Sequence, residues 1–449
     1  MGMDGRWKLH RGDCREFLKT LSENSVDVVV TDPPYELNFM GREWDRTGIA
    51  FDPAFWVEVL RVLKPGAHLL AAGIGRTHHR MMVAVEDAGF EIRDCIYHIF
   101  GSGFPKNLDV SKAIDKVMKA ERPVVGIDFY HARRIPRGRS AQNVYSGPDK
   151  RAGNDFKVTI PATEEAVRWQ GWGTALKPSV EIWVLARKPL SEKNVAENVL
   201  RWGTGALNID GCRIPGTPEA TRFDPSKHRH DGWRMTATGR DCAERAQAKG
   251  GRWPANLVLN HTVECGESCI PGCPVRLLDE QSGELKSGFM RAGIERSSLC
   301  GYRGAMSALT LHDTYGDSGG ASRFFYCAKV SRNERWGWCR DCSRVVLPEE
   351  LDVHREEGHN VVVHPTQKPL ELMRWFVRLV TPPGGLVLDP FAGSGTTLAA
   401  AILEGFRCIG MEADPEYVSI AEARVKAACG EKVSSAVLVG DGMEQLTFF

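Results

Sequence analysis

Two short segments hold residues whose types and spacing can do chemistry. Thr31-Asp32-Pro33-Pro34-Tyr35 sets a carboxylate, two prolines and an aromatic ring in succession. Proline fixes its own φ at roughly −65° and keeps the residue before it extended. The tetrad therefore reads as a rigid shelf displaying one carboxylate, one carbonyl and one ring. Asp32 and the Pro33 carbonyl can each accept one hydrogen of an exocyclic amine, and Tyr35 can stack on a base face, as pockets for flipped bases require. The plainer alternative is a proline-terminated strand with a helix-capping Asp. The second segment runs from Asp389-Pro390 through Phe391-Ala392-Gly393-Ser394-Gly395-Thr396-Thr397. Its glycines let backbone approach a ligand closely, and the helix it opens offers N–H donors to an anionic group. Glu412 follows Asp389 by 23 residues, close to the spacing of ~20 at which an acid reaches ribose hydroxyls. Strand, glycine loop, helix, strand and terminal acid together imply a nucleoside-bearing cofactor.

Cysteine and histidine form two further constellations. Cys339 and Cys342, then His354 and His359, are close to the Cys2His2 zinc spacing. Leu351 and Val353 suit a short helix carrying both histidines. Four protein ligands leave no open position, so the role would be structural. The alternative is two surface thiols and two chance histidines. His261, Cys265, Cys269 and Cys273 recur at three-residue gaps, which Gly266 and Pro271-Gly272 permit. They form a second, weaker zinc candidate, the alternative being a pair of buried thiols plus one free one.

These residues need elements to hold them. VDVVVT (26–31) is a β-branched run with strand character, 53–63 an amphipathic helix, and AHLLAAGI (67–74) a buried strand set off by Lys64-Pro65-Gly66. A helix near 77–88, the strand EIRDCIYHIF and the strand SVEIWVLAR (179–187) follow. LELMRWFVRLV (370–380) reads as a helix, GGLVLDP as a strand, TTLAAAILEGF as a helix, RCIGMEA as a strand and PEYVSIAEARVKAA as a helix. This alternation predicts a parallel α/β sheet. Between the two blocks lies an irregular middle, basic from His131 to Lys157, where seven Lys/Arg stand against two Asp/Glu.

The chain has 449 residues, of which 42% are hydrophobic and 26% charged, which suits a folded core and excludes disorder as the default state. Its 58 basic and 57 acidic residues give a net charge of +1. That excludes a uniformly basic surface but not a basic cleft balanced by acid elsewhere. No apolar run approaches the ~18 residues of a membrane span. The amino terminus lacks a signal-peptide core, and Arg6 stands where a myristoylation signal needs Ser or Thr. A cytoplasmic, nucleoid-associated protein is expected, and there its 13 cysteines favour metal or core roles over disulfides.

TDPPY combined with DPFAGSGTT resembles the S-adenosylmethionine-dependent DNA amino-methyltransferases, which modify N6 of adenine or N4 of cytosine. The catalytic motif precedes the cofactor motif, the order of the family's beta class. HPTQKP (364–369), GDC (12–14) and KPSVEIWVLARKP (177–189) support the likeness. It covers roughly 1–120, 170–190 and 363–425, somewhat under half of the chain. The resemblance implies a doubly wound, Rossmann-like, circularly permuted sheet with an irregular target-recognition insertion and a small zinc module. The expected divisions are a catalytic half (1–120), a basic DNA-contacting loop (121–165), a continuation of the core sheet (166–192), a target-recognition region (193–335), a zinc module (336–362), a cofactor half (363–430) and a tail (431–449).

Carried over residue by residue, the resemblance implies that Asp32, Pro33, Pro34 and Tyr35 hold the target amine and base. Phe391, Gly393, Ser394, Gly395 and Thr396 surround the cofactor S-adenosylmethionine, with Asp389 beside its methionine part. Glu412 takes its ribose and Asp13 approaches its adenine, while His364, Thr366 and Lys368 lie near its methionine end. Asp13 reads alternatively as a turn residue, Lys368 as a surface charge. Asp at the head of the tetrad favours adenine over cytosine. RNA as the substrate, or a non-catalytic zinc-containing DNA-binding protein, remain the alternatives. No cysteine sits in the Pro-Cys setting of carbon-5 cytosine methylation. Double-stranded DNA is the implied partner, gripped by Arg133, Arg134, Arg137, Arg139, Arg234 and Arg252 with Trp233 and Trp253 among them. Members of the class often pair as homodimers. The terminal Gln445-Leu446-Thr447-Phe448-Phe449 looks like a peptide that docks on the bacterial sliding clamp, which suits a bacterial or phage protein; the alternative is a frayed hydrophobic tail or a closing edge strand.

Overall fold

The computed structural model describes residues 5–37, 46–101, 103, 107–127, 157–214, 251–266, 268–286, 295–296, 308–309, 318–329, 331, 334–365 and 367–431. The chain divides into two compact units, one of residues 1–37, 44–101 and 180–449, the other of 38–43 and 102–179.

The first unit is built on a nine-stranded sheet. In chain order its strands are β1 (Trp7–Arg11), β2 (Val26–Thr31), β3 (Leu63–Ile74), β4 (Glu91–Ile99), β7 (Val180–Arg187), β8 (Leu257–Asn260), β13 (Tyr326–Ala328), β17 (Leu386–Asp389) and β18 (Arg407–Glu412). Across the sheet the order is β1-β18-β17-β2-β3-β7-β4-β8-β13. All six residues of β2 are buried, as expected of a strand covered on both faces. Its one acid, Asp27, is matched inside the fold. Lys64 Nζ donates to its Oδ1 at 2.6 Å and the Leu386 amide to its Oδ2 at 2.8 Å, tying β2 to β17.

The sheet is mixed, and here the expectation of a parallel sheet is corrected. β7 runs antiparallel to both β3 and β4, while the other neighbours are parallel. Lys64-Pro65-Gly66 also does not separate helix from strand. The pairing of β2 with β3 begins at Leu63, then shifts register before His68. A kink of this kind absorbs a proline that a regular ladder would exclude. Residues 193–335, read from sequence as a recognition region, supply β8 and β13 to one edge of the sheet.

Helices pack on both faces. Leu372, Phe376 and Val380 of helix Leu370–Val380 join Trp183 and Leu398 in one buried cluster, and Trp56, Val59 and Leu69 anchor the other. A small three-stranded sheet, β14 (Gly337–Cys339), β15 (Arg344–Val346) and β16 (Val361–Val363), carries the helix Leu351–Glu356. Among the described residues, β9 (Leu285–Lys286) pairs with β12 (Ser318–Gly319) and β10 (Glu295–Arg296) with β11 (Ala308–Leu309), each as a separate two-stranded sheet.

In the second unit, β5 (Val124–Ile127) pairs antiparallel with β6 (Lys157–Thr159). These strands flank the basic stretch, of which Arg133, Arg134, Arg137 and Arg139 lie outside the described residues. The buried Asp115 organises this unit. It accepts from Arg122 at 2.6 Å and from the Thr163 hydroxyl at 2.7 Å.

Candidate active site

β2 and β17 are adjacent and parallel at the centre of the sheet. Their carboxyl ends, where α/β sheets bind ligands, bring two motifs from opposite ends of the chain together. Thr31 Oγ1 donates to Asp389 Oδ1 at 2.7 Å. The Phe391 amide donates to the same oxygen at 3.1 Å, which turns the loop after β17. Burial pushes the Asp389 carboxyl up to about 6.

The glycine loop is shaped by what surrounds it. Gly393 and Gly395 take φ of 51° and 77°, in the left-handed region. A β-carbon on Gly395 would lie 2.8 Å from the Ala421 backbone, so this glycine also serves the packing of helix Thr396–Leu403 on helix Pro415–Ala428. A β-carbon on Gly393 would lie 2.8 Å from His364 Nε2. Glu412 accepts from the Gly393 amide at 2.9 Å and the Asp414 amide at 2.8 Å, one per oxygen. Each oxygen keeps a lone pair for a ligand hydroxyl. Ser394 and Thr396 are held by Arg424, whose buried guanidinium donates to both hydroxyls at 3.0 and 2.8 Å. Burial lowers Arg424 to about 10. Sequence reasoning missed Arg424, because an arginine inside a helix reads as surface charge.

The shelf after β2 is equally fixed. Thr77 Oγ1 donates to the Tyr35 carbonyl at 2.9 Å, and Glu36, at φ 55°, turns the chain away. Lys368 is 7% exposed, and its ammonium donates to Asp32 Oδ2 at 2.7 Å and to the Tyr35 hydroxyl at 3.0 Å, and lies 3.3 Å from Glu181 Oε1. Lys368 was expected beside the methionine end of a cofactor; its described contacts are with the shelf. Asp32 Oδ1 is buried without a hydrogen-bond partner. Burial raises the Asp32 carboxyl, with Lys368 opposing, and pushes the Tyr35 phenol well above its ordinary value.

Glu181 reaches this site because β7 is antiparallel. Its first residues lie at the carboxyl ends of β3 and β4, with Glu181 opposite both Ile74 and His98. His98 Nδ1 lies 3.2 Å from Glu181 Oε2. Burial would push the Glu181 carboxyl up, but Lys368 and His98 outweigh it and hold it down at about 2. Glu181 and His98 were read only as strand residues.

His364 follows β16 directly. Its ring meets Tyr417 edge-on at 4.6 Å, its Nδ1 is buried without a partner, and burial lowers it to about 3. Asp13 caps the helix Cys14–Thr20 and pairs with Arg15 at 2.6 Å, next to Gly12, whose amide donates to the Glu412 carbonyl. Thr366, Trp233, Arg234 and the terminal Gln445–Phe449 segment lie outside the described residues. Arg252 and Trp253 are described: the Arg252 guanidinium lies 4.9 Å from the Phe324 ring, and Trp253 is exposed.

Both Cys/His constellations gather. Cys339, Cys342 and His354 bring one ligand atom each within 4.8 Å of one another, as do His261, Cys265, Cys269 and Cys273. His359 Nδ1 lies 3.5 Å from Cys339 Sγ and 3.1 Å from Cys342 Sγ. The helix carries only His354, since it ends at Glu356 and Gly358 turns the chain at φ 89°. Leu351 is buried as expected, whereas Val353 is 54% exposed.

Residues 226–423 match the model of the DNA methylase family, a span that holds the glycine loop but not the shelf at 32–35. A 65-residue stretch is 46% identical to the DNA adenine methyltransferase YhdJ of Escherichia coli, covering 14% of this chain and 22% of that protein. A 64-residue stretch is 47% identical to the type II methyltransferase M2.DpnII of Streptococcus pneumoniae, covering 14% and 24%. The chain thus matches under a quarter of the length of these curated relatives. Among solved structures, the cytosine-N4-specific PvuII DNA methyltransferase aligns over 93% of this chain and 86% of that one, at TM-score 0.38 and 14% identity. The M1.HpyAVI–SAM complex aligns over 93% and 98%, at TM-score 0.36 and 13% identity. The likeness to the DNA amino-methyltransferases read from the motifs is borne out by the family match and the two relatives.

Proposed function

We propose that this chain, which carries the DNA methylase region at 226–423, transfers a methyl group from S-adenosylmethionine to N6 of adenine in DNA, with its motifs in the permuted order of the beta class. One observation carries the reading. At the shelf Asp32 Oδ2 is occupied by Lys368, while Oδ1 is buried and unpaired. An acceptor shut from water costs free energy unless a ligand satisfies it, and an exocyclic N–H is the donor the shelf is shaped for.

The residues fit the cofactor. Glu412 retains acceptor capacity for hydroxyls, the buried Nδ1 of His364 has no hydrogen-bond partner, and Gly393 and Gly395 put no side chain at two turns of the loop. When bound, the cofactor supplies a methyl group on a sulfonium, a good leaving group, so the protein's task is positioning.

Asp32 Oδ1 and the Pro33 carbonyl accept the two amine hydrogens and leave the nitrogen lone pair directed out of the base plane. Positive charge then develops on that nitrogen. Two carboxylates and one ammonium, Asp32, Glu181 and Lys368, leave one net negative charge to meet it. Lys368 and Glu181 also hold the Tyr35 hydroxyl, at 3.0 and 3.3 Å, and so fix its ring for stacking. Adenine is favoured by Asp at the head of the tetrad and by the adenine-specific relative. The Cys339, Cys342, His354 and His359 cluster is read as structural zinc that steadies β16 and, through it, His364.

Incubation of the chain with labelled cofactor and either DNA or RNA, then nucleoside analysis by mass spectrometry, tests this. N6-methyldeoxyadenosine is expected. N4-methyldeoxycytidine would overturn the choice of base, and label in RNA alone would overturn the choice of substrate.

A further inference from the structure

The His261, Cys265, Cys269 and Cys273 group lies away from the reacting carboxylates, at the edge of the sheet. The spacing looked unfavourable in sequence because three-residue gaps are not the zinc-knuckle pattern. The backbone explains how they serve. Cys265 donates its amide to the Thr262 carbonyl at 3.1 Å, and Cys273 donates to Ile270 at 3.2 Å. Each is a tight turn that swings the next thiol back towards the first. Gly272, at φ 84°, closes the second turn in a conformation that favours glycine. The His261 amide donates to the Ala328 carbonyl at 3.0 Å, fixing the histidine to β13.

The result is four ligand atoms mutually within 4.8 Å. His261 Nδ1 faces Cys269 Sγ at 3.2 Å and Cys273 Sγ at 3.6 Å. Around a tetrahedral ion with Zn–S of ~2.3 Å the ligand atoms stand roughly 3.8 Å apart, so the cluster needs only small adjustments. Cys273 is fully buried, among Leu259, Val275 and Ile99. Cys327 shares this small core, but its thiol points to the Ser322 and Phe325 carbonyls at 3.8 and 3.6 Å. Three of the four cysteines here therefore converge on the histidine and one does not.

We propose that His261, Cys265, Cys269 and Cys273 bind a zinc ion, as a Cys3His structural site separate from the Cys339 cluster. With four protein ligands the ion has no open position and takes no part in methyl transfer. It clamps the end of β8 to the start of helix Pro274–Ser282, and Pro274 packs directly on Gly101, just past His98. The ion would thus hold the edge of the sheet that backs the Glu181–His98 pair.

Alkylation of the native full chain with iodoacetamide, with and without a strong chelator, followed by peptide mapping, tests this alongside zinc analysis. Cys265, Cys269 and Cys273 should label at least tenfold more slowly without chelator. The double substitution C269S/C273S should lose one zinc per chain, and C339S/C342S should keep that zinc. Equal labelling rates with and without chelator, a disulfide within the cluster, or zinc unchanged in C269S/C273S would overturn the proposal. The labelling arm uses the wild-type chain, so a variant that fails to fold does not blunt the test.

Discussion

The two oxygens of Asp32 have different occupations, and that difference organises the site at the residue scale. Oδ2 is spoken for by Lys368; Oδ1 waits for a donor. Glu181 acts through the same ammonium. Glu181→Gln should therefore lower kcat by about ten- to a hundredfold, since loss of one charge near the reacting nitrogen is worth ~1–3 kcal/mol. Cofactor affinity, measured by calorimetry, should stay within twofold. Asp389 is proposed to carry the pH dependence of cofactor binding. Its carboxyl is pushed up to about 6, so it is neutral below that value and anionic above it, and a cationic ligand favours the anion. Cofactor binding should tighten as pH rises from 5 to 7, and Asp389→Asn should flatten that slope. Asp32, Asp389 and Glu412 could be singled out in the sequence because each ends or directly follows a hydrophobic strand. Glu181 was not, because nothing in VEIWVLAR shows that the strand runs backwards.

At the scale of elements, one reversed strand and one glycine matter most. Antiparallel β7 delivers an acid to the row of carboxyl ends, a place that parallel neighbours fill only from their last residues. Gly395 joins two roles, with its positive φ and its contact on Ala421. Gly395→Ala is expected to destabilise the fold by well over ~1 kcal/mol, visible as a drop of several degrees in Tm before any effect on chemistry. The Cys339 cluster, proposed to hold zinc, would act through β16. Cys342→Ser should lower Tm and weaken cofactor binding through His364, read by thermal shift and calorimetry; unchanged cofactor affinity would separate the module from the site. The helix periodicity at 370–380 and the strand at 386–389 follow from their apolar patterns. The chain's kink at Lys64-Pro65-Gly66 inside β3 does not, since proline and glycine in sequence signal a break.

For the whole molecule, a charge of +1 hides uneven placement. The basic stretch from His131 to Lys157 is proposed to grip phosphate. Replacing Arg133, Arg134, Arg137 and Arg139 by Ala should weaken DNA binding severalfold and reduce its salt dependence, with cofactor affinity unchanged. The terminal Gln445–Phe449 segment is proposed to dock on a sliding clamp; a peptide of the last eight residues should bind purified clamp, and no binding at high micromolar concentration contradicts it. The most direct measurement concerns the shelf. Asp32→Ala, assayed by transfer of labelled methyl to DNA beside calorimetry with S-adenosylmethionine, should lose at least ~100-fold in transfer while binding the cofactor as the wild type does. Transfer surviving at the wild-type rate would contradict the account.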